Sequence, residues 1–194
     1  MNLLNLFKKN RSYRRFIQDQ PVSIETLYEL IELARFSASS GNIQGLKFFL
    51  SNTDKQNKKI FSTLKWANYL KDWDGPSEGE QPAAYVIILG DTEIHKTIEV
   101  DVGIAAQSIM LGAAEMGLGG CMIASIDRIS LRKLLNLPNR YQIPLVIALG
   151  VPGEQIIIEE MKDDASVEYW RDSEGIHHVP KRKLEDLIIQ STKP

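Results

Sequence analysis

The chain has 194 residues, of which 43% are hydrophobic and 25% are charged, and this length suits one domain with a sizeable core. Such a composition excludes a disordered, collagen-like or coiled-coil chain. The 23 basic and 25 acidic residues give a net charge of −2, which disfavours a broad nucleic-acid surface.

Hydrophobic spacing predicts the elements of the first half of the chain. Residues 3–9 predict a short helix, and residues 24–36 predict an amphipathic helix that begins at the N-cap residue Ser23. The small polar segment 38–42 suits a tight turn, or a loop that contacts a polar ligand. The further predictions are a strand over 46–51, a helix over 54–64, a surface loop and candidate lid over 72–82, and a buried strand over 84–89.

The second half contains a helix of a different kind, over residues 100–116. Its residues are apolar or small nearly all round, which predicts a helix buried on every side. We expect a subunit interface there, with a central helix as the alternative. The further predictions are a helix stop at 117–120, a strand over 121–125, a helix over 131–135 capped by Ser130, a strand over 145–149, two short strands within 167–179 and a closing helix over 184–189.

Basic residues cluster near both ends of the chain. Five of them precede the first acidic residue, Asp19, a second cluster lies within 177–183, and residues 154–168 are acid-rich. One hypothesis is that these clusters are solvated faces or pair with the acidic stretch. The other is that both ends meet around one anion, since arginine binds phosphate with a planar, permanently charged fork.

The sequence lacks the patterns of the common catalytic and metal sites. It has no Cys and His set at zinc spacing, no Gly-x-Ser-x-Gly elbow and no P-loop. The single cysteine, Cys121, cannot form an intramolecular disulfide and lies in a predicted apolar strand, where a thiol is inert. We therefore expect no metal and no catalytic side chain, so that an enzyme of this sequence would depend on a bound cofactor.

Five segments, in order and spacing, resemble the FMN-dependent nitroreductase family over nearly the whole chain. They lie at residues 11–16, 34–44, 101–120, 148–152 and 179–185. The resemblance implies one α/β (α+β) domain over 1–194, with three layers and a central, mostly antiparallel mixed sheet flanked by helices. It also implies an interlocked homodimer with two FMN sites at its interface.

The resemblance further implies which residues bind FMN. Arg11, Ser12 and Arg14 would bind its phosphate and ribityl chain, and Lys181 and Arg182 would also bind the phosphate. Ser39, Ser40 and Asn42 would reach the flavin from the partner subunit. Met122, Ile123, Ala124 and Ser125 would direct backbone N–H groups at the reactive N5 edge.

The activity implied by the resemblance is ping-pong hydride transfer from NADH or NADPH through FMN to a nitroaromatic, a quinone or a similar small electrophile. The protein would be cytoplasmic, since it lacks an apolar run of the roughly 20 residues that span a bilayer and the residue order of a secretory signal. We expect it to bind neither nucleic acid nor membrane. An alternative is a non-catalytic FMN-binding sensor or carrier, because a fold does not prove an activity.

Overall fold

A four-stranded antiparallel sheet lies at the centre of the computed structural model, which describes residues 2–162 and 166–190. Its strands are β1 (Leu46–Ser51), β2 (Ala84–Asp91), β3 (Gly119–Ile123) and β4 (Tyr141–Gly150). Their spatial order is β1-β2-β4-β3, and every pairing is antiparallel. Strand β3 therefore lies at one edge of the sheet.

Helices cover both faces of this sheet. They are α1 (Leu3–Lys9), α2 (Ile24–Phe36), α3 (Asp54–Phe61), α4 (Glu99–Glu115) and α5 (Arg128–Leu134). Successive side chains of a strand point to opposite faces of the sheet. Because helices cover both faces, all residues of β2 are buried. Val86 packs in one core with Leu30 of α2 and Ile109 of α4, whereas Ile87 packs in the other with Ile60 and Leu131 of α3 and α5. The predicted three-layer α/β fold with a central antiparallel sheet is confirmed.

Helix α4 packs on α2 and on the central sheet within its own chain. Its buried residues include Val102, Ala106, Ile109 and Ala113, which accounts for its apolar character without a partner. The helix is thus a central helix of the domain, and a subunit interface along it stays a prediction. No helix among the described residues is long and apolar enough to cross a membrane.

A small second sheet closes the C-terminal part of the chain. Its strands are β5 (Ile156–Glu160), β6 (Trp170–Arg171) and β7 (His177–Lys181), in the order β5-β7-β6. Strands β5 and β7 are parallel, whereas β6 and β7 are antiparallel. The sequence predicts β6 and β7 as the two short strands within 167–179 but misses β5. The predicted acid-rich stretch includes Asp163 and Asp164, which lie outside the described residues.

Several predicted boundaries are wrong for local reasons. The third helix ends at Phe61 rather than at 64. The strand predicted from 121 begins at Gly119, because Gly119 and Gly120 allow close packing: a Cβ atom would lie 2.5 Å from Tyr13 at the first and 2.6 Å from the Met110 sulfur at the second. The helix predicted over 131–135 spans Arg128–Leu134.

Two further predictions of helix ends are corrected by hydrogen bonding and burial. Helix α5 is capped by Asp127, whose carboxylate accepts from the backbone N–H of Ser130, so Ser130 is not the cap. The closing helix predicted over 184–189 is reduced to one 3₁₀ turn, Glu185–Leu187. Its apolar side chains pack into no core among the described residues, and Leu187 is 63% exposed.

His178 of β7 lies between two carboxylates, Glu159 of β5 and Asp172, and links these parts of the second sheet. Its ring nitrogens lie 2.6 Å from Glu159 Oε1 and 3.1 Å from Asp172 Oδ2, and its ring stacks on Trp170. The hydrogen bond to Asp172, helped by Glu159, raises the pKa of His178. The same bond holds the pKa of Asp172 below its ordinary value.

We expect His178 to stabilise the protein in a pH-dependent way. Because its pKa is raised in the folded state, the contribution is fully present below the ordinary value of 6.5 and is lost as the pH rises through the raised pKa. Urea unfolding of the wild type and H178Q should therefore differ more at about pH 5.5 than at about pH 8. The variant H95Q serves as the control. A difference that stays constant between these pH values would contradict a charged His178.

Candidate functional site

A groove along the edge strand β3 contains residues from both ends of the chain. It consists of two adjoining cavities of about 340 and 260 Å³, which share Arg14, Met122 and Tyr169 in their walls. We call it the β3 groove. Together the two cavities have the size of a site for a small molecule or cofactor.

The N-terminal segment reaches the groove because it pairs with β3. Ser12 forms a parallel bridge with Gly120, and the backbone N–H of Tyr13 donates to the Gly120 carbonyl at 2.9 Å. Phe16 is fully buried in the core below and anchors the segment. The Arg-Ser-Tyr-Arg motif is thereby held along an edge that would otherwise lack hydrogen-bond partners.

The larger cavity of the groove, which we call the basic cavity, is suited to an anion. Three cationic side chains, Arg11, Arg14 and Lys181, line it together with Ser12 and Gln107, and its described lining includes no carboxylate. Burial lowers the pKa of Arg11, but a guanidinium stays charged at neutral pH. Its Nη2 atom donates to the Phe7 carbonyl at 2.6 Å, which holds the guanidinium in the wall of the cavity.

The smaller cavity, which we call the strand-end cavity, lies at the end of β3. Residues 121–125 form one wall and residues 65–69 form another. The two walls are joined by a hydrogen bond from the Lys65 N–H to the Ser125 carbonyl at 2.9 Å. The sequence assigns no residue of the wall 65–69 to the site, although it offers Trp66 and Tyr69 as candidates to cover a substrate pocket together with the loop 72–82. This wall turns at Ala67, whose φ of 41° is unusual for a residue other than glycine.

Cys121 lines the strand-end cavity but is not a reactive group. Its side chain is buried, and burial raises the pKa of the thiol to about 11. The thiol is therefore neutral at physiological pH, in agreement with the prediction of an inert cysteine. The described residues also hold no group of three or more His, Cys, Asp or Glu side chains placed to bind a metal.

Arg14 is held from several sides at the junction of the two cavities. Its side chain is 9% exposed, and its Nη1 atom lies 3.1 Å from both the Ser12 carbonyl and His177 Nε2. The ring of Tyr169 covers the guanidinium, with 4.2 Å between the guanidinium carbon and the ring centroid. Arg14 is therefore in place before any ligand binds.

Glu154 joins the N-terminal segment to the second sheet. Its carboxylate accepts from the backbone N–H groups of Arg14 and Arg15 at 2.5 and 3.2 Å and from Arg171 at 2.8 Å. Its side chain is only 2% exposed. The acid-rich stretch thus binds the basic N-terminal segment through this residue, while Arg11 and Lys181 still meet in the basic cavity. The two basic clusters therefore meet in one cavity, and the binding of an anion there stays a prediction.

Besides the wall 65–69, the residues that line or support the β3 groove but were not predicted as site residues include Glu154, Tyr169, Arg171 and His177. Each acts through a contact between segments that are distant in sequence, such as the stacking of Tyr169 on Arg14. The charge pattern is the one feature of the sequence that indicates any of these four residues, since it places Glu154 in the acidic stretch and His177 in the second basic cluster.

The predicted residues divide into two sets in the structure. Eight of them line the β3 groove, and the other four do not. The eight are Arg11, Ser12, Arg14, Met122, Ile123, Ala124, Ser125 and Lys181. The four are Ser39, Ser40, Asn42 and Arg182.

The polar segment 39–42 lies at a separate place, where it binds the N-terminal part of α4. The Ser39 hydroxyl and the Ser40 N–H donate to the buried carboxylate of Asp101 at 2.7 and 2.8 Å. Burial acts to raise the pKa of Asp101, but these hydrogen bonds hold it below its ordinary value. Asn42 follows in a left-handed conformation with φ of 55°, and it is exposed.

The loop 72–82, a candidate lid in the sequence, is packed against the N-terminal segment. The Phe16 N–H donates to the Glu80 carbonyl at 2.9 Å, and the Gln18 amide oxygen accepts from two N–H groups of the loop. The guanidinium of Arg171 covers the ring of Trp73. The described lining of the β3 groove includes none of these loop residues.

Comparisons with known proteins agree on one family. The family model "Nitroreductase family" matches residues 8–151. A protein from Methanothermobacter thermautotrophicus, named for NADH dehydrogenase or NAD(P)H nitroreductase activity, is 28% identical over 162 residues, with 79% of each chain covered. An iodotyrosine deiodinase from Thermotoga neapolitana is 24% identical over 169 residues, which cover 78% of this chain and 89% of that protein.

Solved structures share the fold as well. A nitroreductase-like protein from Desulfovibrio desulfuricans, crystallised in complex with FMN, superposes with a TM-score of 0.71 at 21% identity. The likeness covers 100% of this chain and 99% of that chain, so it extends beyond the residues that the family model matches.

Proposed function

Because the chain belongs to the nitroreductase family, we propose that it is an FMN-dependent oxidoreductase. Its electron donor would be NADH or NADPH, and its acceptor a nitroaromatic, a quinone or a similar small electrophile. The observation that carries this proposal is the basic cavity, where Arg11, Arg14 and Lys181 meet in a described lining that includes no carboxylate. This cavity adjoins a second one along β3.

The residues present fit FMN at both ends of the groove. Arg11 and Lys181 would bind the phosphate, and Ser12 would bind the ribityl chain. The Gly120 carbonyl points away from β4, toward Tyr13. Because this direction alternates along a strand, the N–H of Met122 also points away from β4 and into the groove.

The proposed roles of the chain are binding and electrostatic stabilisation. When bound, FMN supplies the redox chemistry, taking up hydride from the nicotinamide and passing electrons to the acceptor. The backbone N–H of Met122 would stabilise negative charge at the edge of the flavin. The buried, neutral thiol of Cys121 adds no reactive group beside it. A site of this kind needs no catalytic side chain.

Anaerobic half-reactions test this proposal against the sensor or carrier alternative. Bound flavin should lose its visible absorption when NADH or NADPH is added, and should regain it when a quinone or nitroaromatic follows. Repeated cycles should consume one NAD(P)H per two-electron reduction of the acceptor. A protein that binds FMN but is reduced no faster than free FMN would be a sensor or carrier, and the enzyme proposal would fail.

We further propose a homodimer in which Ser39, Ser40 and Asn42 reach the FMN of the partner subunit. Apolar side chains unusually exposed for a monomer support this proposal. They are Leu3 and Leu4 in α1, Phe36 in α2, and Leu184, Leu187 and Ile189 near the C-terminus. We place the protein in the cytoplasm, because its proposed donors are cytoplasmic cofactors.

Complementation between two defective variants should reveal shared sites. The variant R11A/R14A damages the groove, whereas S40A/N42A damages the loop, and neither homodimer should bind FMN tightly. Co-expressed with different tags, they should form a heterodimer that binds FMN in one of its two sites, because that site takes an intact groove from one chain and an intact loop from the other. A heterodimer as empty as both homodimers would show that groove and loop act within one chain.

A further inference from the structure

The neighbours of Arg14 include a histidine whose protonation state is set by the geometry. His177 is fully buried, and its Nε2 atom lies 3.1 Å from Arg14 Nη1. A guanidinium can only donate hydrogen bonds, so Nε2 must accept and the ring proton must be on Nδ1. The Nδ1 atom is buried and has no partner among the described residues. His177 is therefore a neutral imidazole in its less common tautomer.

The charges around His177 favour this neutral state. Arg14 faces it from the N-terminal segment, Arg171 from β6 and His178 from the next position of β7, while Glu154 is bound to Arg171 and to the Arg14 backbone. Burial, followed by the charges of Arg14 and Arg171, lowers the pKa of His177 to about 4. Protonation would add a further cation to this cluster and break the bond to Arg14.

A neutral acceptor has a particular advantage at this position. A carboxylate facing the Arg14 guanidinium would neutralise its charge and repel a phosphate ligand. An imidazole that only accepts a hydrogen bond holds the same guanidinium and leaves its charge available to the ligand. The carboxylate of Glu154 binds the Arg14 backbone and the Arg171 side chain instead.

We propose that His177 is a positioning residue for the cofactor site, which as a neutral hydrogen-bond acceptor holds the Arg14 guanidinium in the orientation that binds FMN. This inference rests on the proposed function. Its physical basis is preorganisation: an arginine that is already ordered, between His177 and the Tyr169 ring at 4.2 Å, loses less conformational freedom on binding.

The test is FMN affinity of the apoprotein, measured by quenching of flavin fluorescence. H177L removes the acceptor and should raise the Kd of FMN about 10-fold, whereas H177Q retains an acceptor oxygen and should restore most of the affinity. H95L is the matched control and should bind as the wild type does. In an R14A background, H177L should have almost no further effect, because His177 acts through Arg14.

Each outcome decides a different claim. If the wild type does not bind FMN, the proposed function fails and this inference fails with it. If the wild type binds FMN and H177L binds equally well, only the role of His177 is overturned. Equal losses for H177L in the wild-type and R14A backgrounds would also overturn it, since they would indicate a role independent of Arg14.

A measurement on the unmodified protein covers the case in which H177L does not fold. Nitrogen NMR of histidine-labelled protein, which has three histidines, reports the tautomer of each ring. His177 should be neutral with its proton on Nδ1 at pH 7 and should remain so to about pH 5. A ring protonated on Nε2, or charged at pH 7, would contradict the proposal. The affinity for FMN should fall toward pH 4 more steeply in the wild type than in H177Q.

Discussion

Replacing Arg11 and Arg14 together with alanine is expected to give a protein that purifies without FMN. Both guanidinium groups line the basic cavity, and the described lining offers no other arginine to take their place. A hydrogen bond between charged groups contributes about 1.5–3 kcal/mol, so the loss of two should raise the Kd of FMN by at least about 100-fold. The flavin-to-protein ratio and fluorescence quenching measure this effect.

Two controls separate loss of binding from loss of fold. R140A removes an arginine that pairs with Glu93 at 2.6 Å, away from the groove, and should keep its flavin. Circular dichroism should show that R11A/R14A remains folded. If R11A/R14A is folded and retains a full complement of FMN, the assignment of the basic cavity to the phosphate is wrong.

Replacing Glu154 with alanine is expected to destabilise the protein strongly. The carboxylate accepts hydrogen bonds from two backbone N–H groups and from Arg171, whose side chain is 11% exposed. Its removal leaves a largely buried guanidinium without a partner, which costs about 3–5 kcal/mol in comparable pairs. For a chain of this size, the melting temperature should fall by roughly 10 °C.

Conservative and distant variants sharpen this prediction. E154Q retains an oxygen for the backbone N–H groups and loses only the charge, so it should be clearly less destabilising than E154A. E159A removes the half-exposed partner of His178 and should have a small effect. Thermal unfolding and urea titration measure all three variants. An E154A protein within about 1 kcal/mol of the wild type would show that Glu154 does not hold the second sheet to the N-terminal segment.

The sequence predicts elements well where the signal is local. Helix α2 begins and ends where its apolar spacing does, and Ser23 accepts from the Thr26 N–H as an N-cap should. Strand β5 was missed because it pairs in parallel with β7, which lies about twenty residues further on. Parallel strands are not joined by a tight turn, so the sequence next to β5 carries no turn pattern that would predict it. Residues 184–189 have helical spacing, but no surface in the described part of the chain buries their apolar side chains, and Leu184 is 71% exposed.

In the site too, residues within a recognisable segment could be predicted from the sequence, whereas contacts between distant segments could not. The segments that resemble a known family led to Arg11, Arg14 and Lys181, and all three line the groove. The contacts of His177 and Tyr169 with Arg14 depend on how the second sheet folds back onto the N-terminal segment. No spacing in the sequence encodes that approach, because it is set by β7 and by the position of Glu154.

The most direct test of the account is a visible absorption spectrum of the purified protein, with chromatography of any flavin that is released on denaturation. The β3 groove, with its basic cavity beside β3, predicts a yellow protein that releases FMN, with about one FMN per chain, and that is bleached by anaerobic NADH or NADPH. A colourless protein that takes up no added FMN would contradict the account, and the basic cavity would then have to bind another anion.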